Sequence, residues 1–416
     1  MTPEAIAPLL SDTAFNAIIV MPAYRVNSFG FLASQELQAE ADRNGEPHGN
    51  MGFWDQRAAL EWTSANVRHF GGDPTNITLG GYSAGAHSAF QQLAHELYFV
   101  PDGRAVIRRT IMWSNSPGVQ PRTASDHQKQ FDEYITGLGI PLTISADEKL
   151  KRLRALSVQQ LIDVQKDMTI SEYRATSDGS FVPMDIIAKI NSGDFSRRMQ
   201  RRGMKLMNGE CQDEHNLYRQ WRTPASSYDA VYTRLCADYP EKAVKKLMEH
   251  YCGTNHSLPV AQGDWQDLFG RLYASMQVHC LERGFCDALV KGGLKPGTDL
   301  LRYRIEWRAS CVEMPKEWGI THATDMAIWF WGEGMGSGIT TDEAKVLKPL
   351  NEAFAAFVNG DEVKWDTLTV KDMLRLRADG QTDTWHDDRW DEGVEVWDLV
   401  NGETKTGVLS WLKAKL

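Results

Sequence analysis

Short apolar runs without alternation recur along the chain, and they set its expected architecture. The first spans residues 15–24, Phe15 to Tyr24; others cover 77–81, 109–114, 205–209 and 300–307, each followed by Gly, Ser, Asn or charged residues. Continuous apolar character suits parallel strands buried on both faces, whereas strands with one wet face alternate. Residues 50–70 carry Phe53, Leu60, Trp62, Val67 and Phe70 with alanines between, a pattern that predicts a helix packed on a sheet. Residues 84–98 predict a second helix directly after a strand. Strand, helix, strand in that order predicts an α/β class with a mostly parallel sheet and helices on both faces. The stretches 126–166 and 226–293 are charged and helix-patterned, and read as helical insertions around the site. No repeat or low-complexity linker interrupts the chain, so one domain over 1–416 is expected.

Composition narrows the partners. With 416 residues, 42% hydrophobic and 24% charged, the chain has ordinary globular make-up and enough length for a large core. A formal charge of −10 disfavours long-range attraction to phosphate backbones or anionic lipid. The one basic cluster, Arg197, Arg198, Arg201 and Arg202, reads as the basic end of a solvated helix before a strand, so neither nucleic acid nor membrane is an expected partner. Six scattered cysteines form no Cys-x-x-Cys pair, and neither a zinc site nor a redox motif is supported. The first ten residues lack the basic start and apolar run of a signal peptide; the expectation is a cytoplasmic protein, with secretion open to a form that starts further upstream.

The chemistry centres on Gly81-Tyr82-Ser83-Ala84-Gly85. A serine on a sharp turn from strand to helix is held in strained backbone, and glycine at both flanks, Gly81 and Gly85, relieves the crowding. The helix start behind it directs its dipole at the site. Such a serine needs a base, and the base needs a carboxylate. The loop after the strand at 205–209 offers three acids, Glu210, Asp213 and Glu214, among which composition does not choose. Among eleven histidines, His322 stands out, in a loop after the last long strand and just before the aromatic run Ile328-Trp329-Phe330-Trp331.

Longer strings carry a resemblance. Gly49-Asn50-Met51-Gly52-Phe53-Trp54-Asp55-Gln56-Arg57 continues through Phe70-Gly71-Gly72-Asp73-Pro74 to Ser83-Ala84-Gly85-Ala86, and Ser177-Asp178-Gly179-Ser180-Phe181 follows later. These resemble the type B carboxylesterases, the cholinesterase-like branch of the α/β-hydrolases, over nearly the whole chain. The resemblance implies a serine esterase without metal or organic cofactor, acting on a small-molecule ester, with oligomeric state left open. It implies Ser83 as nucleophile, Glu214 as the acid, His322 as the base, the Ala84 N–H in the oxyanion hole, Ser114 as support for the acid, and Arg25 with Asp55 as a structural ion pair. Three departures stand out. His215 follows the acid where the family has glycine, Tyr82 replaces the glutamate of cholinesterases, and Asn115 replaces a glycine and is expected to take left-handed backbone.

The family's His-Gly-Gly-Gly loop, with the strand before it, would precede Met1. On that expectation the N-terminal strands of the sheet are missing, Ala84 is the one assignable oxyanion donor, and two strand edges either lack partners or close on one another. The alternative to a working esterase is an impaired or non-catalytic, interaction-only relative.

Overall fold

The computed structural model describes residues 3–260, 262–332 and 337–402. Six strands form the main sheet in the order β1 (Ile77–Tyr82), β2 (Ile107–Trp113), β5 (Lys205–Cys211), β6 (Leu300–Ile305), β7 (Asp372–Leu376), β8 (Thr382–His386). All neighbours are parallel except the β7/β8 hairpin. The two-residue strands β3 (Arg122–Thr123) and β4 (Thr176–Ser177) pair separately. Alternation along each central strand feeds two cores. Ile107, Met112, Leu206 and Leu300 pack with Phe90, Leu281 and Phe285 on one face. Ile111, Trp113, Met207, Leu301 and Tyr303 pack with Trp329, Leu347 and Phe354 on the other. Both faces are therefore covered by helices, which is why these strands read as unbroken apolar runs. The expected α/β class, a mostly parallel sheet with helices on both faces, is what the chain adopts.

The run at residues 15–24 is a correction. It forms no strand, and Ile18, Val20 and Met21 are 45%, 43% and 42% exposed. Phe15 anchors it, stacking on Phe354 with ring centroids 4.9 Å apart, and Ala17 and Ile19 pack partly buried against the same core. An apolar run becomes a strand when neighbouring backbone supplies ladder partners, and here none does. The segment and the outer edge of β1 instead line a groove of about 550 Å³. The two edges do not close on each other.

The second helical stretch holds Tyr228–Asp238, Glu241–Cys252, Trp265–Gln277 and His279–Lys291. These helices contribute heavily to the core on one face of the sheet, so the stretch supplies much of the crossover that parallel β5 and β6 require as well as a wall of the site. The first stretch builds a small core of its own around Phe131, Tyr134 and Leu150. The basic cluster differs at its end. Arg202 is buried, and donates to the Glu96 and Val100 carbonyls (2.6 Å each), capping the helix Ala84–Phe99. Arg25 and Asp55 form the expected pair, bidentate at 2.7 and 2.8 Å. Among the described residues no helix is long and apolar enough to cross a membrane, and all six cysteines are free.

Burial sets one pH response. His127 is 1% exposed, and burial followed by the Arg122 charge lowers its pKa from 6.5 to about 4. The unfolded chain therefore takes up a proton below pH 6.5 that the folded chain refuses until pH 4. Stability falls with falling pH through that window, by up to about 1.4 kcal/mol per pH unit for one such histidine. The urea midpoint is expected to drop between pH 7 and pH 5, and His127→Gln to flatten the drop. An equal slope in the variant would exclude His127 as a source.

Candidate active site

The turn after β1 holds Ser83 at φ 54°, ψ −119°, outside the regions that side-chain-bearing residues prefer. Its N–H donates to the Trp113 carbonyl at 3.0 Å, and the Asn115 amide donates to the Ser83 carbonyl at 2.8 Å. Asn115 also donates to Gln277 at 3.2 Å, so this side chain ties the turn to the helix Trp265–Gln277. It does not take left-handed backbone; the neighbouring Ser114 does, at φ 49°. The two elbow glycines are unequal. A Cβ at Gly81 would sit 2.0 Å from the Gly85 carbonyl oxygen, while one at Gly85 meets nothing within 4 Å. The crowding that glycine relieves is thus on the Gly81 side, and the Gly85 side opens into the groove beside β1.

Of the three candidate acids, the structure brings one to the histidine. His322 Nδ1 lies 2.6 Å from Glu214 Oε2, and His322 Nε2 lies 2.7 Å from Ser83 Oγ. Glu214 is fully buried and also accepts the Cys211 N–H at 2.9 Å. Burial opposes its charge, but the facing His322 and these hydrogen bonds hold its carboxyl below the usual range. Glu210 is instead enclosed by His279, Arg283 and Arg304. Asp213 stitches the two loops, accepting the Ile320 N–H at 3.0 Å while its own N–H donates to the Ile320 carbonyl. Leu217 N–H to Thr321 Oγ1 (2.8 Å) and Asn216 to the Trp318 carbonyl (3.1 Å) complete that stitching. Helical backbone begins at once after Glu214, which is itself right-handed, so His215 meets no demand for glycine.

Tyr82 holds the histidine loop. Its hydroxyl donates to Asp325 at 2.6 Å and accepts the Ala323 N–H at 2.8 Å, pinning Ala323 at φ 74° directly after His322. Ser114 Oγ lies 3.3 Å from the same phenol oxygen. Ser114 thus meets the network through Tyr82 and not, as expected, at the acid. Burial and the nearby Glu214 charge push the Asp325 carboxyl above its ordinary value. Tyr218 lies over the imidazole, its hydroxyl 3.1 and 3.4 Å from the two ring nitrogens.

These groups open on a cavity of about 290 Å³ lined by Ser83, Ala84, His87, Arg174, Tyr218 and His322, among others. The Ala84 N–H, first in its helix, has no hydrogen-bond partner among the described residues. His87, one turn after Ser83, is kept neutral near pH 7 because burial and then Arg174 lower its pKa to about 4. The aromatic run after His322 does not line this cavity; Trp329 packs on Trp113 and Tyr303 inside the core. Sequence reading passed over Tyr218, Asp325 and Arg174, and noted Tyr82 and Asn115 only as departures without a part in the site. Two had a usable signal, since Tyr218 follows Glu214 by four residues and Asp325 follows His322 by three, spacings that share a face of a helical turn. No cluster among the described residues has a metal-ligand composition.

Residues 6–397 match the model of the carboxylesterase family. The chain is 54% identical over 401 residues to a carboxylic ester hydrolase of Gibberella moniliformis, covering 96% of this chain and 73% of that one. It is 35% identical over 393 residues to an uncharacterized esterase/lipase of Schizosaccharomyces pombe, covering 92% of this chain and 70% of the other. An acetylcholinesterase of Bungarus fasciatus is 27% identical over 334 residues, 76% of this chain and 51% of that one. With a parallel sheet, a strained serine at the end of β1 and a match running almost from end to end, this chain belongs to the carboxylesterase family.

Proposed function

We propose that the chain hydrolyses carboxylic esters through a Ser83–His322–Glu214 triad and an acyl-enzyme. The observation that carries this reading is the continuous relay of 2.7 Å from Ser83 Oγ to His322 Nε2 and 2.6 Å from His322 Nδ1 to Glu214. His322 takes the Ser83 proton as Oγ attacks the ester carbonyl, and Glu214 stabilises the imidazolium that forms. The Ala84 N–H at the helix start donates to the developing oxyanion. His322 then returns the proton to the leaving alcohol, and water attacks the acyl-enzyme with the same base assisting. Neutral His87 lets the serine's surroundings stay free of a competing cation on that turn.

The test is covalent labelling. A fluorophosphonate probe is expected to modify the wild-type protein once, at Ser83, and Ser83→Ala is expected to abolish both the adduct and hydrolysis of 4-nitrophenyl esters. Folded wild-type protein that takes no label would overturn the esterase reading and favour an interaction role.

A further inference from the structure

The wall of the cavity opposite His322 carries a cation in surplus. Arg174 Nε and Nη2 donate to Asp238, the former at 2.8 Å, and Nη2 also donates to Tyr273 at 3.0 Å. That leaves Nη1 without a hydrogen bond among the described residues. The guanidinium is deep in the protein, yet 27% of the side chain is accessible, and it lines both the cavity it shares with Ser83 and a neighbouring pocket with Arg122 and Tyr239. Asp238 does not need Arg174 for neutrality. Its other oxygen accepts Arg234 Nη1 at 2.6 Å, and Arg122 lies against the backbone of the same helix end. Glu172, the carboxylate on this wall, is itself bound by Arg222 at 2.6 Å, with Arg234 at 3.5 Å. Three arginines thus pair with two carboxylates, with Arg122 on the backbone beside them, in a chain whose net charge is −10.

The cation is also within reach of the serine's chemistry. Tyr218 packs on His322 with ring centroids 4.8 Å apart, Tyr273 packs on Tyr218 at 4.9 Å, and Tyr273 bonds Arg174. Ring contacts therefore run from the base to the guanidinium along the wall of one cavity of about 290 Å³, a volume that admits the hemiester of a short dicarboxylic acid. A guanidinium in a partly dry cavity pairs with a carboxylate far more strongly than in water, and a neutral substrate would leave it unsatisfied.

We propose that Arg174 is a specificity-determining residue that selects hemiesters of short dicarboxylic acids, the free carboxylate lying on its Nη1 while the ester carbonyl meets Ser83. The assignment rests on the esterase reading above. It is tested with mono-(4-nitrophenyl) glutarate against 4-nitrophenyl pentanoate. The wild-type protein is expected to favour the hemiester in kcat/KM by about tenfold or more, chiefly through KM. Arg174→Gln is expected to collapse that ratio, and Arg174→Lys to restore part of it. Should Arg174→Gln misfold with Asp238 left short of a partner, Arg174→Gln combined with Asp238→Asn removes both charges together. Equal or lower kcat/KM for the hemiester in the wild-type protein, or a ratio unmoved by Arg174→Gln, would overturn the assignment. Absence of turnover on both esters, with no fluorophosphonate adduct, would count against the esterase reading instead. In that case calorimetry of monoethyl glutarate on Ser83→Ala protein separates the two: binding lost in the Arg174→Gln form supports carboxylate recognition by Arg174 alone, and no binding refutes the assignment.

Discussion

Replacing His322 by alanine is expected to lower kcat for 4-nitrophenyl esters by about 10⁴-fold or more, with fluorophosphonate labelling slowed in parallel. The imidazole is the group that touches both Ser83 Oγ and Glu214, so without it the serine stays a neutral alcohol and the carboxylate faces an empty position. Glu214→Gln is expected to cost less than His322→Ala, since the base would remain but lose its orientation and its counter-charge. On the proposed mechanism the three positions act as a unit. Adding Ser83→Ala to His322→Ala should therefore lower activity little further, because what survives both comes from binding and backbone donors alone. Retention of more than a tenth of wild-type kcat by His322→Ala would exclude the proposed base. Fold is not expected to suffer, because the loop bearing His322 is pinned independently through Ala323, Asp325 and Tyr82.

The largest effect on stability is expected at Arg283. Its guanidinium is buried and donates to both oxygens of Glu210, at 2.7 and 3.1 Å, and to Asp387 at 3.0 Å. Burial strongly opposes charge on Glu210, and it is Arg283 with His279 that keeps this carboxyl well below its usual range. Arg283→Met removes the cation and leaves two buried carboxylates with weaker compensation, at a cost of about 3–5 kcal/mol. Urea unfolding followed by tryptophan fluorescence measures this directly, and a loss under about 1 kcal/mol would show that Arg302 and Arg304 suffice. The Arg25–Asp55 pair offers the contrast. Its side chains are 52% and 26% exposed, and pairs of that kind contribute about 0–1 kcal/mol. The structural ion pair that the family resemblance implied is thus the minor one. Because Glu210 is the last residue but one of the strand that leads into the Glu214 turn, slackening its cage should also loosen the acid.

How much of this was legible beforehand depended on whether a signal was local. The central strands were, because burial on both faces writes an apolar run directly into the chain. The elbow was, because a helix starting right after a strand must pass through the turn at Ser83. The acid was not legible from composition. Glu210, Asp213 and Glu214 lie within five residues of one another, and what separates them is distance to a histidine more than a hundred residues later, 2.6 Å in the case of Glu214. The helices at 226–293 misled because their charged, amphipathic pattern looks the same whether a helix stands apart or packs into the main core.

By itself the sequence determined the α/β class, the strained serine and, through family resemblance, its two partners. The tertiary structure alone decided the rest. It left the apolar segment at 15–24 unpaired beside β1, since a strand requires a neighbour's hydrogen bonds as well as its own residues. It showed that Gly81 and not Gly85 is crowded, since contact depends on what lies across the turn. It joined Asn115 and Arg174 to the site from further along the chain, and set Tyr82, the neighbour of Ser83, against the distant Asp325. Periodicity reports how a residue faces its own element, while contacts between elements carry no local signature in one chain.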